Sequence, residues 1–158
     1  MADFILRVYN PRDLERILDI TVEAFDGVSI DQNIAKLLGA NGSPGWEDLK
    51  RQAIREDIEA NPDGIFVAEI AGEVVGYITT RINMGALEGR IPNLAVDSRF
   101  RGLGIGRALI QKALDYFRSQ GLRRARIETL EQNEIGRGLY PKMGFKEVAR
   151  QIHYAMNL

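Results

Sequence analysis

The residues best suited to chemistry cluster in one stretch, residues 93–109, Asn-Leu-Ala-Val-Asp-Ser-Arg-Phe-Arg-Gly-Leu-Gly-Ile-Gly-Arg-Ala-Leu. A short apolar run enters a loop carrying Gly102, Gly104 and Gly106, and apolar positions at helical spacing follow. Glycine has no Cβ, so backbone there can approach a ligand and turn several N–H groups toward it. A helix start adds unpaired N–H groups and a partial positive charge. Arg101 and Arg107 add full charges. Together these make a cradle for a pyrophosphate. A Walker loop needs Gly-Lys-Ser/Thr, which is absent. The dinucleotide pattern G-x-G-x-x-G fails from Gly102, where its last position is Arg107, and from Gly104, where it is Leu109. Glu128 lies about 20 residues on, where a ribose-binding acid would stand, so a nucleotide-binding α/β module stays open.

Other chemistries are closed. The chain has no cysteine, hence no disulfide, thiolate zinc site or acyl-cysteine intermediate. Its one histidine is His153, and none of Ser29, Ser43, Ser98 and Ser119 sits in a G-x-S-x-G elbow. A covalent protein nucleophile is therefore not expected. The 158 residues are 45% hydrophobic and 27% charged, with net charge −1, the profile of one globular domain spanning 1–158. The start has neither the basic nor the apolar region of a signal peptide, and no run approaches a membrane span. A cytoplasmic protein is expected. Charge is uneven: Arg99, Arg101, Arg107, Lys112, Arg118, Arg123, Arg124 and Arg126 face a single acid, Asp115, between residues 98 and 126. Such a block suits either a polyanionic ligand or a solvated helix face.

These residues need elements to position them. Phe4–Tyr9 reads as a strand, and Asn10-Pro11-Arg12-Asp13 as the start of a helix through Phe25. Gly39, Gly42, Pro44 and Gly45 mark residues 27–45 as irregular, and a helix is predicted over Trp46–Ala60. Residues 65–84 read as a hairpin about Ala71-Gly72, with a further strand over Ile91–Val96. After the glycine loop come a helix over 105–120, a strand over Arg126–Leu130 and a short helix over Asn133–Lys142. Phe145–Val148 and Ile152–Met156 read as a closing hairpin. This order implies an α/β (α+β) fold with a mixed sheet.

Arg101-x-x-Gly104-x-Gly106 resembles the R/Q-x-x-G-x-G/A signature of the GNAT superfamily of acetyl-CoA-dependent N-acyltransferases. Residues 133–145, from Asn133 through Leu139, Tyr140 and Gly144 to Phe145, are similar to that family's N-x-x-A-x-x-L-Y-x-x-x-G-F stretch, with Gly136 in place of the alanine. The resemblance implies a largely antiparallel sheet splayed in the middle, with helices on both faces. It implies that the pantetheine arm of acetyl-CoA lies in the gap, paired with the backbone of Leu94, Ala95 and Val96. It assigns the pyrophosphate to Arg101, Gly102, Leu103, Gly104, Ile105, Gly106 and Arg107, and a further bond to Asn133. Tyr140 would protonate the departing thiolate, and Glu128 would be the base for the amine, with Glu88 and Glu69 as rivals.

No metal is implied. The partners implied are acyl-CoA and an amine acceptor, a small molecule or a protein lysine or N-terminus, and neither nucleic acid nor membrane. Dimers are common in the family, so a homodimer fits. In this family the acceptor site is built by the segment matching residues 26–63 and by the last hairpin. Here 26–63 holds eight acids against four bases, which suits a cationic acceptor. A catalytically silent acyl-CoA-binding domain would keep the cradle and lose the chemical groups, and the presence of Tyr140 disfavours it.

Overall fold

Asn10 and Asp13 close a capping box: the Asn10 side chain accepts from the Arg12 N–H, and the Asp13 carboxylate accepts from the Asn10 N–H. In this computed structural model, which describes residues 3–158, that box joins strand β1 (Ile5–Val8) to helix α1 (Leu14–Phe25). Helices α2 (Ile30–Leu38) and α3 (Trp46–Ala60) follow. Then come β2 (Phe66–Ile70), β3 (Glu73–Ile78), β4 (Arg81–Asn83), β5 (Glu88–Ile91) and β6 (Leu94–Val96). Helix α4 (Ile105–Ser119), β7 (Arg124–Ile127) and α5 (Glu134–Lys142) complete the order.

Strand alternation, shifted once by a β-bulge that leaves Val75 unpaired between β2 and β3, divides the core into two layers. Val67, Val74, Tyr77 and Ala95 face α1 and α3, where they pack on Ile17, Leu18, Ile20 and Ile54. Phe66, Ala68, Val75, Ile78 and Ile91 face α4, where they pack on Ile105, Leu109, Ile110, Ala113 and Phe117. The fold is thus α+β, with helices on both faces of the strands. No helix among the described residues is long and apolar enough to cross a membrane.

The strands form two sheets, β1-β2-β3-β6 and β4-β5-β7. β5 runs parallel to β7 from Glu88 opposite Arg124 to Ile91 opposite Ile127. Beyond that pair the chains part: β6 continues antiparallel along β3, while residues 128–130 leave the sheet. The opening lies where Pro92-Asn93 interrupts the strand predicted over Ile91–Val96. Proline has no N–H for the ladder. Asn93 is buried in a polar hub. Its N–H donates to Thr79 Oγ1 (3.1 Å), its Nδ2 to Asp57 Oδ2 (2.7 Å), and its Oδ1 accepts from Lys50 Nζ (2.7 Å). Asp57 also accepts from Thr79 Oγ1 (2.7 Å) and Arg81 Nε (2.9 Å). The kink is therefore held by α3 on one side and β3–β4 on the other.

Further sequence expectations change. The second strand of the hairpin read over 65–84 divides into β3 and β4, which belong to different sheets. Residues 27–45 contain α2, because the glycine and proline breakers begin only at Gly39, where the helix stops with φ +77°. The strand predicted over Arg126–Leu130 lies at Arg124–Ile127, since pairing with β5 ends at the split. The closing hairpin is absent: residues 145–158 form no strand. Residues 149–151, Ala-Arg-Gln, hold none of the glycine, proline, asparagine or aspartate that make tight reversals. The segment instead reaches Glu131 through Arg150 (3.2 Å) and the Leu38 carbonyl through Asn157 (3.2 Å).

Candidate active site

The split opens into a cleft of about 440 Å³. One wall is β6. The Asn93 carbonyl accepts from Thr79 N–H, and Asp97 N–H donates to the Val75 carbonyl, so alternate residues 93, 95 and 97 direct their backbone to β3. By the alternation of an antiparallel ladder, Leu94 and Val96 aim their N–H and C=O groups into the split. This narrows the predicted trio, since the Ala95 backbone is spent on β3.

The second wall is the glycine loop. Gly102 and Gly104 have φ near +81° and +82°, the left-handed region that a side chain strains. Gly104 is the cap residue of α4, and its carbonyl takes the first helical bond from Ala108 N–H at 3.0 Å. Among the described residues, the N–H groups of Ile105, Gly106 and Arg107 have no partner, so the helix start presents them to the cleft. The basic block sorts itself here. Arg99, Arg118, Arg124 and Arg126 are ion-paired, whereas Arg101 and Arg107 have no acidic partner among the described residues and line the cleft. Arg99, with Arg16, holds Asp97 where β6 enters the loop, and its hydrogen bond keeps the Asp97 carboxyl well below the usual range.

The third wall is α5. Asn133 caps it by accepting from Gly136 N–H (3.2 Å) and donates to Thr129 Oγ1 (2.8 Å). Gly136 is buried, and a Cβ there would fall 2.9 Å from Asn133 Nδ2, 3.1 Å from Tyr140 Cε2 and 3.2 Å from Thr129 Oγ1. The missing methyl is what lets these three side chains close together. Tyr140 packs its ring edge-on to Phe145 with centroids 6.3 Å apart. Its hydroxyl bonds to no group among the described residues, and burial pushes its pKa up to about 12.

Of the predicted site residues, Leu94–Val96, Arg101, Gly102, Gly104–Arg107, Asn133 and Tyr140 line this one cleft. Leu103 and Glu128 do not. Leu103 is exposed. Glu128 stands just past β7, with one oxygen bound to Arg90 (3.0 Å) and the other to Arg126 (3.0 Å). Glu69 is tied to Arg7 beside β1, and Glu88 lies near Arg124 and Arg126, so neither reaches the cleft. Ala24, Phe25 and Val28, which the sequence reading did not single out, close one end. Lys50 Nζ lies 3.9 Å from the centre of the Phe25 ring, which couples this end to the Asp57 hub.

Comparison with known proteins agrees with this geometry. A model of the acetyltransferase (GNAT) family matches residues 31–145. An uncharacterised N-acetyltransferase of Methanocaldococcus jannaschii is 40% identical over 145 residues, covering 90% of this chain and 78% of that one. An N-alpha-acetyltransferase of Sulfurisphaera tokodaii is 34% identical over 110 residues, covering 63% of this chain and 66% of the relative. Two further relatives are spanned over only 48% and 42% of their lengths. The crystal structure of a PaiA N-acetyltransferase of Thermoplasma acidophilum with coenzyme A has a TM-score of 0.73, covering 91% of this chain and 90% of that one. At 19% identity that likeness is one of fold. With its split sheet, its glycine loop at the head of α4 and the match over residues 31–145, this chain belongs to the acetyltransferase (GNAT) family.

Proposed function

We propose that this protein transfers acetyl from acetyl-CoA to a primary amine by direct attack in a ternary complex. One observation carries the reading: free backbone on β6, free N–H groups at the start of α4 and the unbonded Tyr140 hydroxyl meet in a single cleft. Arg101, Arg107 and the N–H groups of residues 105–107 hold the pyrophosphate. The backbone of Leu94 and Val96 pairs with the pantetheine amides, and one of those N–H groups polarises the thioester carbonyl as charge develops on its oxygen.

The amine nitrogen attacks that carbonyl, a C–N bond forms and the C–S bond breaks. The sulfur leaves as thiolate beside Tyr140. A hydroxyl with a pKa pushed up to about 12 stays protonated at neutral pH and donates a hydrogen bond. A thiol has a pKa of only about 8.5, so full transfer from Tyr140 would run uphill. Tyr140 therefore stabilises the thiolate, which takes its proton from solvent. An alkylamine of pKa about 10.4 is mostly protonated at pH 7, and its proton must leave before attack. Glu128 stands on the side of the split but is committed to Arg90 and Arg126. That proton therefore passes to solvent water rather than to Glu128.

The acceptor is an amine whose near end meets Ala24, Phe25 and Val28. The acid excess of residues 26–63 is partly offset inside the chain, where Asp57 pairs with Arg81 from outside the segment. It is a weaker guide to a cationic acceptor than the sequence suggests. The test is thiol release from acetyl-CoA across polyamines, aminoglycosides and peptides with free N-termini, beside thermal shifts with coenzyme A and NAD. Stabilisation by coenzyme A alone and amine-dependent thiol release are the expected results. Stabilisation by coenzyme A with no thiol release from any amine would leave a binding domain.

A further inference from the structure

The second sheet carries a row of arginines. Arg81 on β4 stands directly opposite Arg90 on β5, and Arg90 directly opposite Arg126 on β7. Like charges set opposite one another destabilise a sheet. Alternation fixes the face they share. Ile82, Ile91, Ala125 and Ile127 pack on the α4 layer, so the arginines stand on the other face. That is the face α3 approaches, since Arg81 Nη2 reaches Asp57 Oδ1 at 2.8 Å. Phe25, at the end of the cleft, lies on the same side, because Lys50 of α3 joins its ring to Asn93.

Helix α3 meets the row only at Arg81. The Arg90 and Arg126 side chains are 54% and 55% exposed. Their own carboxylates do not balance them. On this face four arginines, Arg81, Arg90, Arg124 and Arg126, share Asp57, Glu88 and Glu128, which leaves one positive charge over. Glu88 stands 3.6 Å from Arg126 and 3.7 Å from Arg124, beyond hydrogen-bond length. Glu128 takes the Nε of Arg90 and one terminal nitrogen of Arg126. Among the described residues, the two terminal nitrogens of Arg90 make no hydrogen bond. Guanidinium N–H groups of this kind bind a carboxylate through a planar fork.

The row also stands at the split. Ile91 and Ile127 are the last pair before the chains part, and Arg90 and Arg126 are one residue earlier, about 3.3 Å along the strands. A group bound there belongs to a molecule that reaches the cleft from the α1–α3 side. The face is too open to enclose a small ligand, which needs a concave site. It suits one charged side chain of a longer, extended acceptor. We infer that Arg90 and Arg126 are specificity-determining residues that bind an acidic side chain close to the N-terminal amine of a peptide acceptor. The inference rests on acetyl transfer to an amine and names the class of that amine. The acceptor's carboxylate supplies the negative charge that the row lacks.

The test uses three peptides that begin with serine and differ only at their second and third positions, which are both glutamate, both glutamine or both lysine. Thiol release from acetyl-CoA gives kcat/KM for each peptide with the wild type, Arg90→Gln, Arg126→Gln and the double variant, and a thermal shift with coenzyme A shows that each variant is folded. The acidic peptide should exceed the neutral one by about fivefold or more, mainly through KM, as one or two half-exposed ion pairs would give, and the basic peptide should be poorest. The preference should shrink as salt is raised in the wild type and vanish in the double variant. Equal rates for the three peptides, or thiol release with small amines alone, would overturn the inference and leave acetyl transfer standing. A preference for acid that survives both substitutions would place its recognition elsewhere and overturn it as well. Thiol release from no amine, with coenzyme A still stabilising the protein, would remove acetyl transfer and this inference together.

Discussion

The two sides of the split are built by different means. The side assigned to the acyl donor, β6 to α5, uses backbone: free N–H groups, left-handed glycines and a helix cap. Behind the side assigned to the acceptor, side chains do the holding: Lys50 and Asp57 of α3 join Thr79, Asn93 and Arg81 in one hub, linked to the cleft by Lys50 over the Phe25 ring. Backbone recognition tolerates exchange of most side chains and fails where a Cβ intrudes. A side-chain hub fails when one member is lost, because the others keep their unpaired polar atoms in a low dielectric.

The hub is the place to break this contrast most severely. Asp57→Ala leaves Asn93, Thr79 and Arg81 without their shared carboxylate and should cost about 3 kcal/mol, as expected for one buried charge removed from its partners. Urea unfolding measures it, and a loss within about 0.5 kcal/mol, typical of an indifferent surface site, would mean water replaces the carboxylate. Tyr140→Phe tests the donor side by chemistry alone. It keeps the ring on Phe145 and should lower kcat about 10–100-fold, at or below the lower bound of about 100-fold for a positioned acid, because the group donates a hydrogen bond rather than a proton. KM should hardly move, and steady-state rates with saturating acetyl-CoA decide the matter. Gly104→Val puts a branched side chain at φ +82°, in the cradle itself, and coenzyme A affinity should fall at least about tenfold, or 1.4 kcal/mol. Calorimetry that finds the affinity intact would remove the phosphate assignment.

Two smaller changes sharpen the comparison. Gly136→Ala restores the residue type that the family motif carries there and gains up to about 1 kcal/mol of helix propensity. Its new methyl, however, must displace the Tyr140 ring and the Asn133 amide. The expected outcome is a melting temperature equal or higher with a several-fold lower kcat, and a faster enzyme would show that the close packing has no catalytic purpose. Glu128→Gln should be the mildest. With both oxygens held by arginines, its loss is expected to change kcat/KM less than about threefold, well short of the effect of a positioned base, with the acidic limb of the pH profile kept. A loss of that limb would restore Glu128 as the direct base.

The same contrast explains which residues are legible in the sequence. Gly102, Gly104 and Gly106 were legible because a glycine loop that opens a helix leaves a short, spaced signature, and Asn133 and Tyr140 through the resemblance of residues 133–145 to the family's motif. The hub was not, because Lys50 and Asp57 on α3, Thr79 after β3 and Asn93 before β6 come from three separate segments with no motif linking them. Nothing in the sequence near Glu128 signals that Arg90, 38 positions earlier, takes one of its oxygens. The α2 helix was hidden by the breakers that follow it, and the hairpin expected over Phe145–Val148 and Ile152–Met156 lacks turn residues between its halves.

The kink at Pro92-Asn93 has a thermodynamic consequence. The sheet is parted by the chain's own covalent and polar structure, so occupying the gap requires no strand to be pulled from a partner. Ligand groups then meet backbone that is already ordered, and the conformational entropy of shaping the site is lost during folding rather than on association. Association should consequently show a negative heat-capacity change no larger than the apolar area covered, without the added signature of segments ordering. In this protein the cost of the opening falls on the stability of the fold, at a buried aspartate more than thirty residues away in sequence from the strand it bends.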